Sequence, residues 1–134
     1  NYVPSNNRSQ LTTTADNLLI VDAYNANPTS MAAAINNFTH MGVAQPKMAI
    51  LGDMRELGEV SDEEHQKIVD SLKTAGLSEV WLVGDEFMKT RCDFRKFHDI
   101  EEVKAAIREH KPRGYYMLVK GSNGIKLFEL PELL

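Results

Sequence analysis

The side chains best suited to chemistry begin directly after the apolar run at residues 18–21. A carboxylate, a phenol and two amides follow that run before a helix begins: Asp22, Tyr24, Asn25 and Asn27. Such a turn can accept ribose hydroxyls at Asp22 and can stack on or hydrogen-bond to a base through Tyr24 and Asn25. For Asn27 the sequence also allows a plainer part, that of N-cap of the following helix.

A second group stands near the end of the chain, where Lys120 closes an apolar run and Gly121 and Ser122 follow it. A cation beside free backbone N–H groups suits a carboxylate or a phosphate. The same residues also fit a tight turn that carries a surface lysine, and spacing alone does not decide between the two.

Residues 52–58 form a polar loop with glycine at each end, and His65 follows within a helical stretch. The loop suits a hinge or the wall of a cleft as well as a solvated connection. For His65 the sequence favours a surface position or a buried position with its hydrogen bonds satisfied.

Several motifs that would settle the chemistry are missing from the sequence. It has neither the Walker phosphate loop nor the dinucleotide fingerprint, and residues 121–124 have the wrong spacing for a nucleophile elbow. The four histidines have no cysteine or carboxylate at zinc-ligand spacing. We therefore expect no metal site built from this chain alone, and no triphosphate site held by it alone.

Composition narrows the class of protein. With 134 residues, 43% hydrophobic and 25% charged, the chain fits one domain, and its formal charge of -4 argues against a nucleic-acid partner. The basic residues between Lys89 and His98 are better explained by a solvated edge strand. No apolar run is long enough for membrane insertion, and the single cysteine, Cys92, fits a reducing, cytoplasmic setting.

Apolar runs and helical patterns alternate along the chain. The runs predict strands at residues 18–21, 48–51, 80–83, 93–97 and 115–119. Helices are predicted at residues 28–41, at 61–76, at 86–91, from residue 99 to before Pro112, and briefly after residue 124. The second of these would begin with a capping box of Ser61 with Glu64, and the fourth with Asp99 as its cap. This alternation predicts an α/β fold with a doubly wound, mostly parallel, Rossmann-like sheet. The carboxyl ends of its strands would then hold the site.

Three blocks in this order resemble the carboxy-terminal domain of the Mur ligases, in the MurF branch. They are residues 22–31 (DAYNANPTSM), residues 51–58 (LGDMRELG) with His65 after them, and residues 118–122 (LVKGS). They span nearly the whole chain, and the Tyr-Asn-Ala-Asn form is typical of the MurF branch.

The resemblance implies a cytoplasmic ATP-dependent ligase of peptidoglycan synthesis, serving cell-wall biogenesis, cell shape and cell division. Its substrates would be UDP-N-acetylmuramoyl-tripeptide and D-alanyl-D-alanine, with ATP and Mg²⁺ held mainly by an upstream central ATPase domain. The opening residues 1–16 would be the tail of that domain or a linker, and residues 17–134 the closing domain. The fragment alone would be inactive, because the phosphate loop lies elsewhere.

Residue by residue, the resemblance implies nucleotide contacts for Asp22 and for the neighbouring polar positions Tyr24, Asn25 and Asn27. Arg8 matches an arginine that reaches the ATP phosphates. The Lys-Gly-Ser block implies contact of Lys120 and Ser122 with the dipeptide or the acyl phosphate, with Lys120 and Arg8 counted as catalytic.

Two other classes of protein stay open on the residues alone. Three aspartates lie at predicted strand ends, namely Asp22, Asp53 and Asp85. Together with Lys120 they could form the acidic pocket of a receiver-like signalling domain. A non-catalytic binding module is the third possibility.

Overall fold

The structure, a computed structural model, describes residues 10–134 of the chain. Six strands alternate with four α-helices: β1 (Gln10–Thr13), β2 (Leu18–Asp22), α1 (Pro28–Thr39), β3 (Lys47–Gly52), α2 (Ser61–Leu72), β4 (Glu79–Val83), α3 (Asp85–Met88), β5 (Arg95–Phe97), α4 (Ile100–Glu109) and β6 (Tyr116–Lys120). Short 3-10 helices lie at Gly58–Val60, Asn123–Ile125, Leu127–Glu129 and Pro131–Leu133.

All six strands belong to one sheet, in the order β1-β2-β6-β3-β4-β5. β1 runs antiparallel to β2, and every other neighbouring pair is parallel. The predicted fold class is confirmed. Because β6 inserts between β2 and β3, the ends of β2, β6, β3 and β4 follow one another along one side, which we call the carboxyl edge.

Helices cover both faces of the sheet, as a doubly wound fold requires. On one face the strands pack with α1, α2 and α3 around Phe38, Val69 and Phe87. On the other face α4 and the carboxy-terminal 3-10 helices close the core through Val103 and Leu127. Central strands therefore bury side chains in both directions, which explains their unbroken apolar runs.

Three helix starts carry a predicted cap, and two of these caps are confirmed; the predicted start of α2 at Ser61 is also confirmed. Asn27 caps α1 in a capping box with Ser30, and Asp99 caps α4, as predicted. The capping box predicted for Ser61 and Glu64 is wrong, because the 3-10 helix at Gly58–Val60 runs into α2 and makes Ser61 its first residue. The Ser61 hydroxyl is directed to Glu86 instead.

Other differences concern element ends. α2 ends at Leu72 rather than Gly76, α3 is shorter than the predicted 86–91, and β5 covers only the last part of 93–97. Three 3-10 helices replace the single terminal helix.

β1 was not predicted, because its sequence QLTT is polar and its side chains lie mostly exposed. The boundary between residues 16 and 17 stays a prediction, and the pairing of β1 with β2 favours a domain that begins earlier.

Candidate functional site

An ion pair joins two neighbouring strands, β2 and β6, at the carboxyl edge. Asp22 and Lys120 are partners in the parallel register of β2 and β6, and Lys120 Nζ lies 2.8 Å from Asp22 Oδ2. The same ammonium group donates to the Asn25 carbonyl at 3.1 Å. Lys120 is only 1% exposed, so the alternative of a surface lysine is wrong. The lysine ties the turn after β2 to the end of β6.

The turn after β2 presents polar groups outward. Tyr24 is 53% exposed and Asn25 is exposed beside it. Asn27 Oδ1 accepts the Ser30 N–H at 2.8 Å, which is the capping role that the sequence allowed. Asp22, Tyr24 and Asn25 therefore share one turn, whereas the side-chain oxygen of Asn27 serves the helix.

Ser122 is buried just beyond β6, at 6% exposure. Its N–H donates to the Asp53 carbonyl at 3.2 Å. Its hydroxyl Oγ has no hydrogen-bond partner among residues 10–134. An unpaired buried hydroxyl costs about 1–3 kcal/mol, so natural proteins rarely keep one without a use.

A cleft of about 690 Å³ opens at the carboxyl edge between the turns that follow β3, β4, β5 and β6. Arg55 lines it from the turn after β3, and Lys126 lines it from the turn after β6. Carboxylates line it as well, at Glu56, Asp85, Glu86 and Asp99. The Arg55 guanidinium packs over Gly124, where an added Cβ would lie 2.9 Å from it, so the two basic turns are in contact.

Asp53 connects the turn after β3 to α3. Its carboxylate oxygens accept the N–H groups of Glu86 and Phe87, each at 2.9 Å. Burial raises the pKa of Asp53, and these two hydrogen bonds oppose that rise. Gly84 leaves the room for this, because its φ is 120° and an added Cβ would lie 2.3 Å from the Asp53 carboxyl group.

His65 lies fully buried behind the same turn. Its Nε2 accepts the Met54 N–H at 3.0 Å, and its Nδ1 donates to the Ser61 carbonyl at 2.8 Å. These partners assign the neutral imidazole with its proton on Nδ1. The ring also packs edge-on against Phe87 at 4.7 Å. His65 is thus the satisfied, buried histidine that the sequence favoured as one of two choices.

The remaining expectations from the sequence concern Arg8, a metal site and membrane insertion. Arg8 lies outside the described residues. Within residues 10–134 no group of three or more His, Cys, Asp and Glu side chains could hold a metal ion. In that part of the chain no helix is long and apolar enough to cross a membrane.

The receiver-like alternative is not supported, because its aspartates have separate partners. Asp22 pairs with Lys120, Asp53 caps α3, and the exposed Asp85 pairs with His98.

Comparison with known proteins gives one consistent family. A family model described as "Mur ligase, glutamate ligase domain" matches residues 7–123. Three curated relatives are named UDP-N-acetylmuramoyl-tripeptide--D-alanyl-D-alanine ligase. The relative from Rickettsia prowazekii is 30% identical over 93% of this chain and 29% of its own length. That from Treponema pallidum is 32% identical over 86% and 27%. That from Bacillus subtilis is 31% identical over 92% and 29%.

Solved structures agree in fold. A MurF ligase from Thermotoga maritima in complex with ADP superposes with a TM-score of 0.78 at 24% identity, covering 98% of this chain and 30% of that one. A MurF from Acinetobacter baumannii gives a TM-score of 0.78 at 28% identity, covering 96% of this chain and 29% of that one. The chain therefore spans less than a third of the length of these relatives.

Proposed function

Because this chain belongs to the Mur ligase family, we propose that it is the carboxy-terminal, closing domain of an ATP-dependent amide ligase. The enzyme would add D-alanyl-D-alanine to UDP-N-acetylmuramoyl-tripeptide in peptidoglycan precursor synthesis. The observation that carries this proposal is the match of nearly the whole chain to relatives bearing that name, at 30% identity or more.

The proposed reaction has two steps. The tripeptide carboxylate takes the γ-phosphoryl group of ATP, which gives an acyl phosphate and ADP. The amine of the dipeptide then attacks the acyl carbon, loses a proton, and expels phosphate from a tetrahedral intermediate. The proposed role of this domain is to close over the reactants, to position them and to place charged groups around them.

For the nucleotide we propose contacts from the turn after β2. Asp22 would accept a ribose hydroxyl, with Tyr24, Asn25 and Asn27 beside it, and Arg8 would reach the phosphates. The exposure of Tyr24 and Asn25 supports these contacts. Because Asn27 Oδ1 already accepts the Ser30 N–H, we expect Asn27 to contribute less to nucleotide binding than the other residues of this turn.

For the dipeptide we propose the cleft at the carboxyl edge. A zwitterion carries a carboxylate and an ammonium group, and the cleft offers Arg55 and Lys126 for the first and carboxylates such as Asp85 for the second. The Oγ of Ser122 has no hydrogen-bond partner within residues 10–134, which supports its predicted contact with dipeptide or acyl phosphate. Lys120 is already bound by Asp22 and the Asn25 carbonyl, which supports a contribution made through them.

Other elements of the proposal come from the family. The partners would be the upstream ATPase domain and the two substrates, and the setting would be the cytoplasm. Mg²⁺ would accompany ATP, and since the described residues contain no ligand cluster for it, we assign none of them to it.

The test is release of ADP by the full-length protein in the presence of tripeptide substrate, D-alanyl-D-alanine and ATP. We expect release to require all three, and we expect the 134-residue chain alone to be inert and to bind ATP weakly. Release of ADP by the isolated chain, or indifference of the full-length protein to the dipeptide, would contradict the proposal.

The cleft is tested separately with Arg55→Gln. This change should raise the KM for the dipeptide about tenfold and leave the KM for ATP unchanged. Arg108→Gln is the matched control, because Arg108 is an exposed arginine of α4 that does not line the cleft. Equal KM values for Arg55→Gln and the control would remove Arg55 from the site.

A further inference from the structure

His65 is a fully buried member of a polar group that lies against the cleft, although the His65 side chain itself does not line the cleft. We call the group the His65 brace and define it as His65, Asp53, Met54, Ser61 and Glu86. Its members come from the turn after β3, from the first two turns of α2 and from α3.

The brace joins three of the turns that form the cleft. From the turn after β3, the Met54 N–H reaches His65 Nε2 and the Asp53 carboxylate reaches α3. The Asp53 carbonyl accepts the Ser122 N–H from the turn after β6. The Ser61 hydroxyl closes the group by donating to Glu86 Oε1 at 2.5 Å.

The two ring nitrogens of His65 connect helix α2 to the loop after β3. One ring nitrogen holds the α2 carbonyl of Ser61, and the other holds a backbone N–H of the loop itself. An apolar side chain could fill the same space against Phe87, but it would leave the Met54 N–H without an acceptor in a buried place. The imidazole therefore adds orientation to packing.

Arg55 follows Met54 directly, so the position of the Met54 N–H governs where the Arg55 side chain starts. Arg55 in turn packs over Gly124, on the opposite wall of the cleft. A shift of about 1 Å in such a group is enough to cost a large part of its contribution.

We propose that His65 is a positioning residue for the incoming dipeptide, acting through the Met54 N–H to hold Arg55 and the turn after β3 in place. This inference rests on the proposed function, since it takes the dipeptide as the occupant of the cleft. His65 itself touches no substrate.

The test compares two polar variants of the full-length ligase. In His65→Gln the side-chain oxygen reaches roughly as far as Nε2 and can accept the Met54 N–H, whereas in His65→Asn it is too short to do so. We expect His65→Asn to raise the KM for D-alanyl-D-alanine about tenfold with the KM for ATP within about twofold of the parent. His65→Gln should restore most of the parent KM.

His110→Asn is the control, because His110 is an exposed histidine that does not line the cleft. It should behave as the parent. Equal dipeptide KM values for His65→Asn and His65→Gln would overturn the inference, as would a loss in His65→Asn that falls equally on both KM values and on kcat.

Amide hydrogen exchange on the same full-length variants separates this inference from the proposed function. We expect faster exchange in the peptide containing residues 53–58 of His65→Asn and unchanged exchange in the peptide containing β6. If the parent makes no dipeptide-dependent ADP, the proposed function fails, and the dipeptide role of His65 fails with it. If the parent is active and exchange at 53–58 is the same in His65→Asn as in the parent, the brace alone is refuted.

Discussion

Each half of the carboxyl edge holds one carboxylate, and the two are held in different ways. Asp22, at the end of β2, faces the ammonium group of Lys120 from the neighbouring strand. Asp53, one residue beyond β3, faces two backbone N–H groups of α3, with the neutral imidazole of His65 behind it. The first arrangement depends on charge and the second on the shape of the backbone.

This difference teaches what each half can contribute to the reaction. The Asp22 side chain is paired with Lys120 and is still 18% exposed at the carboxyl edge. A carboxylate that caps a helix uses its oxygens to accept backbone hydrogen bonds, and Asp53 is only 5% exposed. Direct contact with substrate is therefore expected of Asp22, whereas Asp53 and His65 set the geometry of other residues.

The largest effect should come from Gly84→Ala, which disturbs the backbone arrangement around Asp53. The new Cβ would lie 2.3 Å from the Asp53 carboxyl group, at a φ of 120° that only glycine adopts easily. We expect a loss of about 3 kcal/mol in the free energy of unfolding, read from chemical denaturation.

Gly76→Ala is the matched control for the backbone strain alone. Gly76 also has a positive φ, of 76°, but an added Cβ there meets nothing within 4 Å. It should lose only about 1 kcal/mol. Similar losses for the two variants would mean that the fit of Asp53 against Gly84 contributes nothing.

The next effect concerns the charge-dependent half. Asp22→Ala in the full-length protein would remove the proposed charge-assisted hydrogen bond to ribose, so kcat/KM for ATP should fall about tenfold to a hundredfold. The domain should stay folded, because Lys120 keeps the Asn25 carbonyl as a partner. Unchanged ATP kinetics, or a collapsed melting curve, would show that Asp22 is structural.

Lys120→Met sharpens this result. If Lys120 acts through Asp22, the double variant with Asp22→Ala should be no slower than the slower single variant. If Lys120 touches the acyl phosphate by itself, the two losses should instead multiply. Steady-state kinetics of the three variants decides between these cases.

These two halves were not equally predictable from the sequence. Strand ends and turn chemistry predicted that Asp22 and Lys120 lie at one edge of a parallel sheet, because helical patterns separate the strands. Their direct pairing was not predicted. It depends on β6 inserting beside β2, a neighbour relation between elements 98 residues apart that no local pattern records.

The brace was less predictable still. Ser61 and Glu64 have the spacing of a capping box, but the preceding 3-10 helix supplies the first turn and frees the Ser61 hydroxyl for Glu86. The bond from Met54 to His65 crosses a loop, and its spacing has no periodic signature. Local propensity predicted caps where nothing competed, as at Asn27 and Asp99.

A smaller effect is expected at Ser122, which lies where the two halves meet. Ser122→Ala removes a buried hydroxyl that has no partner among the described residues. The free energy of unfolding should therefore stay the same or rise by about 1 kcal/mol. If the hydroxyl binds substrate during closure, kcat/KM for the dipeptide should still fall about fivefold.

The opposite directions of these two changes make the Ser122 test sharp. A variant that loses stability and activity together would mean that Ser122 is only a packing residue. Thermal denaturation and dipeptide kinetics on one preparation are sufficient.

The smallest effect is a pH dependence at the rim of the cleft. The Asp85 carboxylate, 3.1 Å from His98 Nδ1, raises the pKa of His98 above its usual range, and Glu102 and Asp99 add to this. A histidine whose pKa is higher in the folded state stabilises the fold fully below its unfolded pKa, and this contribution is lost as the pH rises through the folded value. Both groups are well exposed, so the gain in stability should be slight.

An NMR titration of the His98 ring should give a midpoint above that of a free histidine, and Asp85→Asn should bring it down. Asp70→Asn, an exposed carboxylate of α2, should leave it unchanged. If the His98 midpoint is the same in Asp85→Asn as in the parent, the pair does not form in solution, and the charge-dependent behaviour of the edge is confined to Asp22 and Lys120.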